Sequence, residues 1–282
     1  MDGMDTMDVM DSEGEALQAA GPRFVSSLLF SSSPLLSPYH LAVADTITID
    51  FNEPIAIFPL WGAILLPHAP QALHIFEPRY RQMVEDCLES VEDGNLLKAK
   101  PIAMAIPAGP SWDGPTIGDP PLRPAVCVGK IVQHARLPDG RHNVILHGVC
   151  RARIVEVMEP APGRLYRFAK MVPIEEPGRV PRLAATRRRL RELLEGPRLS
   201  RMASADAVRE WISREDVPTH ALVELVSYAL LKDDEVRYRL LAEPDARERA
   251  KLLTSELLSL DRLVALADRQ EHKSWPKGMS WN

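Results

Sequence analysis

Two long β-type runs joined by one tight turn constrain the fold of this chain more than any other stretch. The runs are "AVCVGKIVQHARL" and "RHNVILHGVCRARIVEV", and "PDG" lies between them at residues 138–140. Pro138 suits the second position of a type I turn, and Gly140 suits the left-handed residue that closes such a hairpin. The sequence therefore predicts an antiparallel β-hairpin in which Leu137 pairs with Arg141.

Short apolar runs broken by proline predict further strands on both sides of the hairpin. One region, "PIAIFPLWGAILLPHAPQALHIF", precedes it, and another run, "RLYRFAKMVPI", follows it at residues 164–174. Between Pro101 and Pro124 the chain holds seven prolines and three glycines, a composition that excludes regular structure and predicts a long loop. We therefore expect a β-rich domain over residues 53–178.

A helix is predicted directly after the run that ends in "HIF" at residues 74–76. Pro78 suits the first position of a helix, and Glu77 lies at its positive end. Apolar residues then recur at helical spacing, so one face of this helix can pack on the sheet. That face comprises Tyr80, Met83, Val84, Cys87 and Leu88.

The chain beyond residue 179 has helical periodicity that is interrupted by short polar or proline-containing segments. Proline in the first turn of several segments supports these boundaries. We expect a subdomain of four or five helices over residues 179–268, in which the last helix is the longest. The predicted helices span residues 182–195, 204–213, 218–231, 233–242 and 245–268.

The two ends of the chain differ in composition from its body. Residues 1–50 hold eight acidic residues and one arginine, a net charge of −7, whereas residues 51–282 carry +2 and the whole chain −5. The first segment has too little periodic apolar content to offset the entropy of ordering. We expect a disordered acidic, Ser- and Pro-rich tail over residues 1–52 and a flexible tail over residues 269–282.

Charge, cysteine spacing and hydropathy indicate the cellular compartment and the classes of partner to expect. A body of charge +2 supplies no electrostatic argument for DNA or a membrane surface as the main partner. Cys87, Cys127 and Cys150 form no C-x-x-C pair, which is typical of buried thiols in a reducing cytoplasm. No run approaches the roughly 20 apolar residues of a membrane span. We therefore expect a cytoplasmic protein without a membrane partner.

The motifs of common enzymes are missing from the sequence. There is no G-x-x-x-x-G-K-[ST], G-x-S-x-G, H-E-x-x-H or G-x-G-x-x-G. The sequence therefore lacks the motifs on which the usual hydrolase and nucleotide-binding sites are built. His134 and His142 are diagonal neighbours in the predicted hairpin, but a zinc site needs three or four ligands and no third ligand has supporting spacing. We interpret them as partly exposed strand histidines, and we expect no catalytic residue, cofactor or metal.

Two further clusters have both a functional and a structural interpretation. His74 and Glu77 could form a base and its orienting carboxylate, but no nucleophile is nearby in sequence, which favours a buried or capping polar pair that locks strand to helix. A basic cluster beyond residue 179 could touch phosphate, but no aromatic residue interleaves with it, which favours a solvated helix face. That cluster is Arg182, Arg187, Arg188, Arg189 and Arg191.

Two long motifs resemble the amino-terminal substrate-binding domain of Lon proteases, a domain that also exists as a stand-alone protein. In "IFPLWGAILLPHAPQALHIFEPRYRQMV" the shared features are a proline-leucine strand start, a proline after an apolar run and an I-F-E-x-R-Y helix entry. In "VGKIVQHARLPDGRHNVILHGVCRARI" they are a V-G strand, an L-P-D-G turn and a glycine followed by R-A-R. With the proline-rich loop between them and the helices after them, the resemblance spans residues 54–264.

This resemblance implies an α+β fold, in which a twisted β-barrel similar to that of PUA domains is followed by an α-helical bundle. Full-length Lon continues into a P-loop ATPase and a Ser-Lys protease, and neither follows in this sequence. The resemblance therefore implies a non-catalytic protein that engages unfolded or tagged polypeptides, as an adaptor or recognition factor, with a protease or chaperone as a further partner.

Exposed apolar surface would be the physical means of such binding. The candidate residues are Trp61, Phe76 and Trp112, although Phe76 also suits the core and Trp112 could cover the end of the barrel. The main alternative is RNA binding through the barrel, with an affinity that falls steeply with salt. Its phosphate contacts would be Arg151, Arg153, Arg164 and Arg167. We favour polypeptide over nucleic acid, and a hydrolase that uses Cys87 or Cys150 is a weaker third alternative.

Overall fold

The computed structural model describes residues 23–27, 46–92, 94–109, 120–175, 183–202 and 204–269. These ranges contain eight strands and six α-helices, so the predicted α+β class is confirmed. The strands are β1 (Arg23–Ser27), β2 (Thr46–Asp50), β3 (Ile55–Pro59), β4 (Pro70–Ile75), β5 (Ile102–Ala105), β6 (Ala125–Arg136), β7 (His142–Met158) and β8 (Phe168–Pro173). The helices are α1 (Pro78–Leu88), α2 (Ala184–Glu195), α3 (Ala205–Ser213), α4 (Thr219–Leu230), α5 (Asp234–Ala242) and α6 (Ala246–Arg269).

Five of the strands close into a twisted barrel. β6 pairs antiparallel with β5 and β7, β3 pairs parallel with β5 and antiparallel with β8, and β8 returns to pair with β7. Closure depends on the 17-residue length of β7, whose beginning pairs with β4 and whose end pairs with β8. Irregularities in the register of β6 and β7 add the local twist that a closed sheet requires.

The central strands are apolar on both faces because each face packs into its own core. In β3, Ile55 and Ile57 belong to one buried cluster, whereas Ala56 and Phe58 belong to another. β5 and β6 alternate between the same two clusters. The first cluster also contains Ile49 of β2, and the second contains the buried face of α1. The core therefore lies on both sides of the sheet.

The hairpin that the sequence predicts most clearly is confirmed. The amide of Leu137 donates to the carbonyl of Arg141 at 2.8 Å, and the amide of Gly140 donates to the carbonyl of Leu137 at 3.0 Å. Gly140 has a φ of +78°, the left-handed conformation that glycine adopts without steric cost. This turn joins β6 to β7 and holds the beginning of β7 beside β4.

The first helix is also confirmed. α1 begins at Pro78, with Glu77 as its N-cap residue, and its buried residues are Tyr80, Met83, Val84 and Cys87, four of the five predicted. The fifth, Leu88, is partly buried and packs against the same core.

The five predicted helices of the second half are observed within about two residues of their predicted bounds. They surround a core of their own that includes Trp211, Leu222 and Leu253, and α6 is the longest with 24 residues. Their periodicity was informative because each helix buries one apolar stripe against its neighbours. None of the helices in the described part of the chain combines the length and apolar composition of a membrane span.

Two predictions about irregular segments are wrong in part. β1 and β2 lie within residues 1–52 and pair with each other, and Ile47, Ile49 and Phe51 are buried. β5 lies within the loop predicted after Pro101, because its four residues are buried between β3 and β6. Residues 1–22, 28–45, 110–119 and 270–282 lie outside the described residues. The division into domains at residue 178 stays a prediction.

Candidate functional site

The stretch "HIFEPRY" presents one side to the core and the other to solvent. Ile75 and Tyr80 are buried, whereas His74 is exposed and the side chain of Phe76 is 60% exposed. The interpretation of Phe76 as a core residue is therefore wrong. The alternation of a strand explains the split, because residues 74 and 76 point away from the face that carries Ile75.

His74 does not pair with Glu77, so the interpretation of these two residues as a buried or capping pair is also wrong. Glu77 accepts a hydrogen bond from Arg79 at 3.0 Å instead. The Nδ1 atom of His74 lies 2.7 Å from Oδ1 of Asn143, and Arg141 Nη1 lies 3.1 Å from its Nε2 atom. Because the guanidinium can only donate, Nε2 accepts and Nδ1 donates its proton to Asn143.

The guanidinium beside His74 is itself held in place. The Nε and Nη2 atoms of Arg141 each lie 2.6 Å from Oδ2 of Asp139, and the backbone amide of Arg141 donates to Oδ1 at 3.1 Å. The hydrogen bond from Arg141 lowers the pKa of Asp139, and the same contact raises the pKa of Arg141. Both groups therefore stay charged at neutral pH and fix the polar rim around the imidazole.

These contacts define an exposed patch, here called the Phe76 surface. The rings of His74 and Phe76 stack with their centroids 6.3 Å apart. Ala72 is exposed two residues before His74, on the same side of β4. The surface thus combines an exposed aromatic ring, the edge of an imidazole and a charged rim on a strand that is anchored to the barrel. It comprises Ala72, His74, Phe76, Arg141 and Asn143.

The other two candidate binding residues do not join this surface. Trp61 is partly buried in the turn that follows β3, and no ring contact joins it to Phe76 in the described ranges. Trp112 lies outside the described residues. Polypeptide binding by any of the three stays a prediction.

The four arginines considered for RNA binding are separated by the fold. Arg151 and Arg167 are buried, so the prediction that they contact phosphate is wrong. Arg153 is exposed, and Arg164 is half-exposed with its guanidinium 4.7 Å from the ring centroid of Phe168. The sequence offers no sign of this separation, because an arginine in a strand is ordinarily solvated.

Arg151 instead belongs to a buried ring of alternating charges between the barrel and the helices. It donates to Glu224 of α4 and, at 3.0 Å, to Glu175 after β8. Arg249 of α6 donates to Glu224 at 2.9 Å and lies 2.6 Å from Glu175. Burial alone would lower the pKa of Arg151, but the two glutamates raise it. The ring joins the two halves of the protein and leaves no free charge for a ligand.

The histidine pair of the hairpin has the predicted diagonal geometry but different exposure. His134 Nε2 and His142 Nδ1 are 2.8 Å apart, and the rings stack at 5.1 Å. His142 is buried beneath Glu85 and Arg136, so its interpretation as a partly exposed residue is wrong. Within the described ranges no group of three or more ligating side chains could hold a metal ion.

The cysteines and the basic cluster supply no catalytic arrangement. All three cysteines are buried, and burial raises the pKa of Cys87 to about 12 and the pKa of Cys127 and Cys150 as well. Arg187 is not solvated as predicted, because it donates to the carbonyls of Ile212, Arg214 and Val217. Arg188, Arg189 and Arg191 are exposed, and Arg182 lies outside the described residues.

The sequence signal for the Phe76 surface is present but weak. In "PQALHIF" the exposed Ala72, His74 and Phe76 alternate with Leu73 and Ile75. Such alternation predicts two different faces but does not say which of them is solvated. Arg141 and Asn143 join the surface only because the hairpin turn brings β7 beside β4.

Comparisons with known proteins agree with this architecture. The sequence matches the family of the ATP-dependent protease La (LON) substrate-binding domain over residues 54–259. The N-terminal domain of the Mycobacterium avium complex Lon protease is similar with a TM-score of 0.53 and 17% identity, covering 73% of this chain and 98% of that one. At this identity the similarity concerns the fold.

A Lon N-terminal domain protein from Xanthomonas campestris is similar with a TM-score of 0.48 and 21% identity, covering 72% of this chain and 98% of its own. No curated protein matches the sequence.

Proposed function

This chain belongs to the family of Lon substrate-binding domains, and from that premise we propose that it binds unfolded or tagged polypeptides without transforming them. The observation that carries the proposal is the 60% exposure of Phe76 beside His74 on a strand of the barrel. Exposed aromatic residues on a rigid support mark interaction surfaces, because burying the ring on binding removes a large apolar area from water.

The chemistry of the Phe76 surface favours a polypeptide with apolar side chains. An aromatic ring gives apolar contact that tolerates many partners, and the guanidinium at its rim adds hydrogen-bond donors. The affinity for a polypeptide bound in this way, here called the client, changes little with salt, because the burial of apolar surface dominates it. A protease or a chaperone that receives the client would be the further partner of an adaptor.

The chemistry of the titratable groups supports a role in binding rather than catalysis. The three thiols have raised pKa values and are buried, so in the described part of the chain no cysteine is poised as a thiolate nucleophile. His74 is engaged with Asn143 and Arg141 rather than with a nucleophile.

Fluorescence anisotropy of the full chain tests the proposal. The probes are a labelled globular protein that has been reduced and carboxymethylated, so that it stays unfolded, and a labelled single-stranded RNA, each at low and high salt. We expect binding to the unfolded protein that changes little with salt. RNA binding that collapses with salt, together with no binding to the unfolded protein, would overturn the proposal.

A further inference from the structure

β4 is an edge strand whose outer side has no partner in the described structure. It pairs with β7 along its whole length, from Pro70 opposite His147 to Ile75 opposite His142. No other described strand lies on its far side, and no described backbone hydrogen bond leaves β4 in that direction. Unpaired amides and carbonyls along such an edge are a template for another extended chain.

The register shows which backbone groups face outward. The amide of Gly148 donates to the carbonyl of Ala69 at 3.0 Å, and these two residues lie opposite each other where β4 begins. In an antiparallel pair, hydrogen-bonded and non-bonded positions alternate. Gln71, Leu73 and Ile75 therefore bond to β7, whereas the amides and carbonyls of Ala72 and His74 point to the free edge.

Two side-chain contacts agree with this assignment. His74 and Asn143 lie directly opposite each other, and their side chains meet at 2.7 Å, as expected where side chains of a non-bonded pair come closest. The amide of the Gln71 side chain donates to the carbonyl of Ala72 at 3.2 Å. A partly exposed side chain thus occupies an outward carbonyl that an incoming strand could take over.

We propose that an extended segment of a client polypeptide adds to β4 as a further strand, hydrogen-bonded to Ala72 and His74. This inference rests on the proposed function and specifies how the client is held. In such an arrangement the backbone supplies affinity and alternate side chains supply selectivity. Client residues opposite Ala72 and His74 share the exposed face with Phe76, so an apolar side chain there covers its ring.

The occupant is a different polypeptide rather than a second copy of this chain. Arg141 contacts His74 at 3.1 Å and places a guanidinium beside the edge. Two copies paired antiparallel through β4 would place both guanidiniums on the same face of the joined sheet, where their like charges, each only partly offset by Asp139, oppose the pairing. A client without a basic residue at this position avoids the repulsion, and an acidic residue there adds an ion pair. Proline at the pairing positions is excluded, since it has no amide to donate.

Proline at position 72 of the protein tests this geometry directly. Ala72→Pro removes an outward amide and no hydrogen bond to β7, and proline is tolerated on an edge whose N–H faces solvent. Ala72→Val is the matched control, because it enlarges the side chain but keeps the amide. Using the carboxymethylated protein as probe, we expect Ala72→Pro to bind about tenfold more weakly than Ala72→Val, because the two variants differ in the outward amide.

The chemistry of the client provides a second test that leaves the protein unchanged. A ten-residue apolar peptide from the probe protein is compared with the same peptide N-methylated at four successive central residues. We expect the methylated peptide to lose binding to the wild-type chain. This comparison of peptides tests strand addition by itself if Ala72→Pro alters the urea unfolding midpoint of the protein.

The outcomes separate this inference from the proposed function. If the wild-type chain binds no unfolded polypeptide, the proposed function fails. If it binds, but Ala72→Pro and the methylated peptide bind as well as their controls, strand addition is wrong while the function stands. If Ala72→Pro only converts a dimer of the chain to a monomer in sedimentation, the edge is a self-association site and the inference is overturned.

Discussion

The guanidinium of Arg151 on β7 donates to the carboxylate of Glu224 on α4, and each of these side chains is 1% exposed. Because Glu175 and Arg249 complete the ring, every charge in it faces an opposite one. Removing one member would leave a buried charge without compensation. This contact therefore couples the position of the helices to that of the barrel.

The first prediction concerns that coupling. We expect Arg151→Met to lower the free energy of unfolding by about 3 to 5 kcal/mol, because it leaves Glu224 buried without its partner on the barrel. Urea unfolding monitored by circular dichroism measures the change. Arg153→Met, at an exposed position two residues away, is the control, and its expected effect is within about 0.5 kcal/mol.

A double substitution sharpens this test. Arg151→Met combined with Glu224→Leu leaves Arg249 and Glu175 paired at 2.6 Å, so part of the lost stability should return. Equal losses for Arg151→Met and Arg153→Met would show that the ring contributes little.

The second prediction concerns acid. Burial lowers the pKa of His147 to about 4, and burial is also the main cause of the lowered pKa of His68 and of His220. These groups are neutral in the native state, whereas the unfolded chain takes up protons near pH 6.5, so the free energy of unfolding falls as pH falls below that value.

The expected loss between pH 7.5 and pH 5 is about 2 kcal/mol for His147, and the lowered pKa values of His68 and His220 act in the same direction. Urea unfolding at several pH values measures this loss. His147→Gln should reduce the change of the free energy of unfolding with pH by the contribution of one histidine. An unchanged slope in that variant would contradict the assignment of His147.

The third prediction concerns the hairpin turn. We expect Gly140→Val to lower the free energy of unfolding by about 1 kcal/mol or more, because a β-branched residue resists a φ of +78°. An added Cβ would also lie 2.3 Å from Arg81 Nη2, but that flexible side chain can move. Gly140→Asn is the control, since asparagine tolerates this conformation, and equal melting temperatures for the two variants would count against the strain.

The fourth prediction concerns the Phe76 surface. We expect Phe76→Ser to weaken binding of the carboxymethylated probe by about tenfold while leaving the free energy of unfolding within about 0.5 kcal/mol of wild type. Leu263→Ser is the matched control, because that leucine is 62% exposed on α6 and lies on a different element. If both variants bind like wild type, Phe76 is not a contact residue.

The fifth prediction concerns the thiols. We expect iodoacetamide to label Cys87, Cys127 and Cys150 slowly in the native protein, since they are buried and their raised pKa values disfavour the thiolate. Labelling in urea gives the reference rate for each site by mass spectrometry. A native rate that matches the urea rate at any of the three sites would reopen the case for a reactive cysteine.

Sequence patterns located the elements that are set by local dihedral preferences or by a periodic apolar face. The turn at Gly140, the entry of α1 at Pro78 and the five later helices could be located because dihedral preferences and apolar stripes are properties of short windows. β2 and β5 could not be located in this way, because each depends on pairing with strands that are distant in sequence. Proline density around β5 obscured it further.

The sequence by itself determined the α+β class, the hairpin, most helix bounds and the resemblance to Lon substrate-binding domains. Only the tertiary structure decided that Arg151 is buried in a ring of charges, that Phe76 is solvated and that β4 is an edge. The physical reason is that burial and edge position depend on which segments meet, as when Glu224 reaches Arg151 from 73 residues away. No local window contains both partners of such a contact.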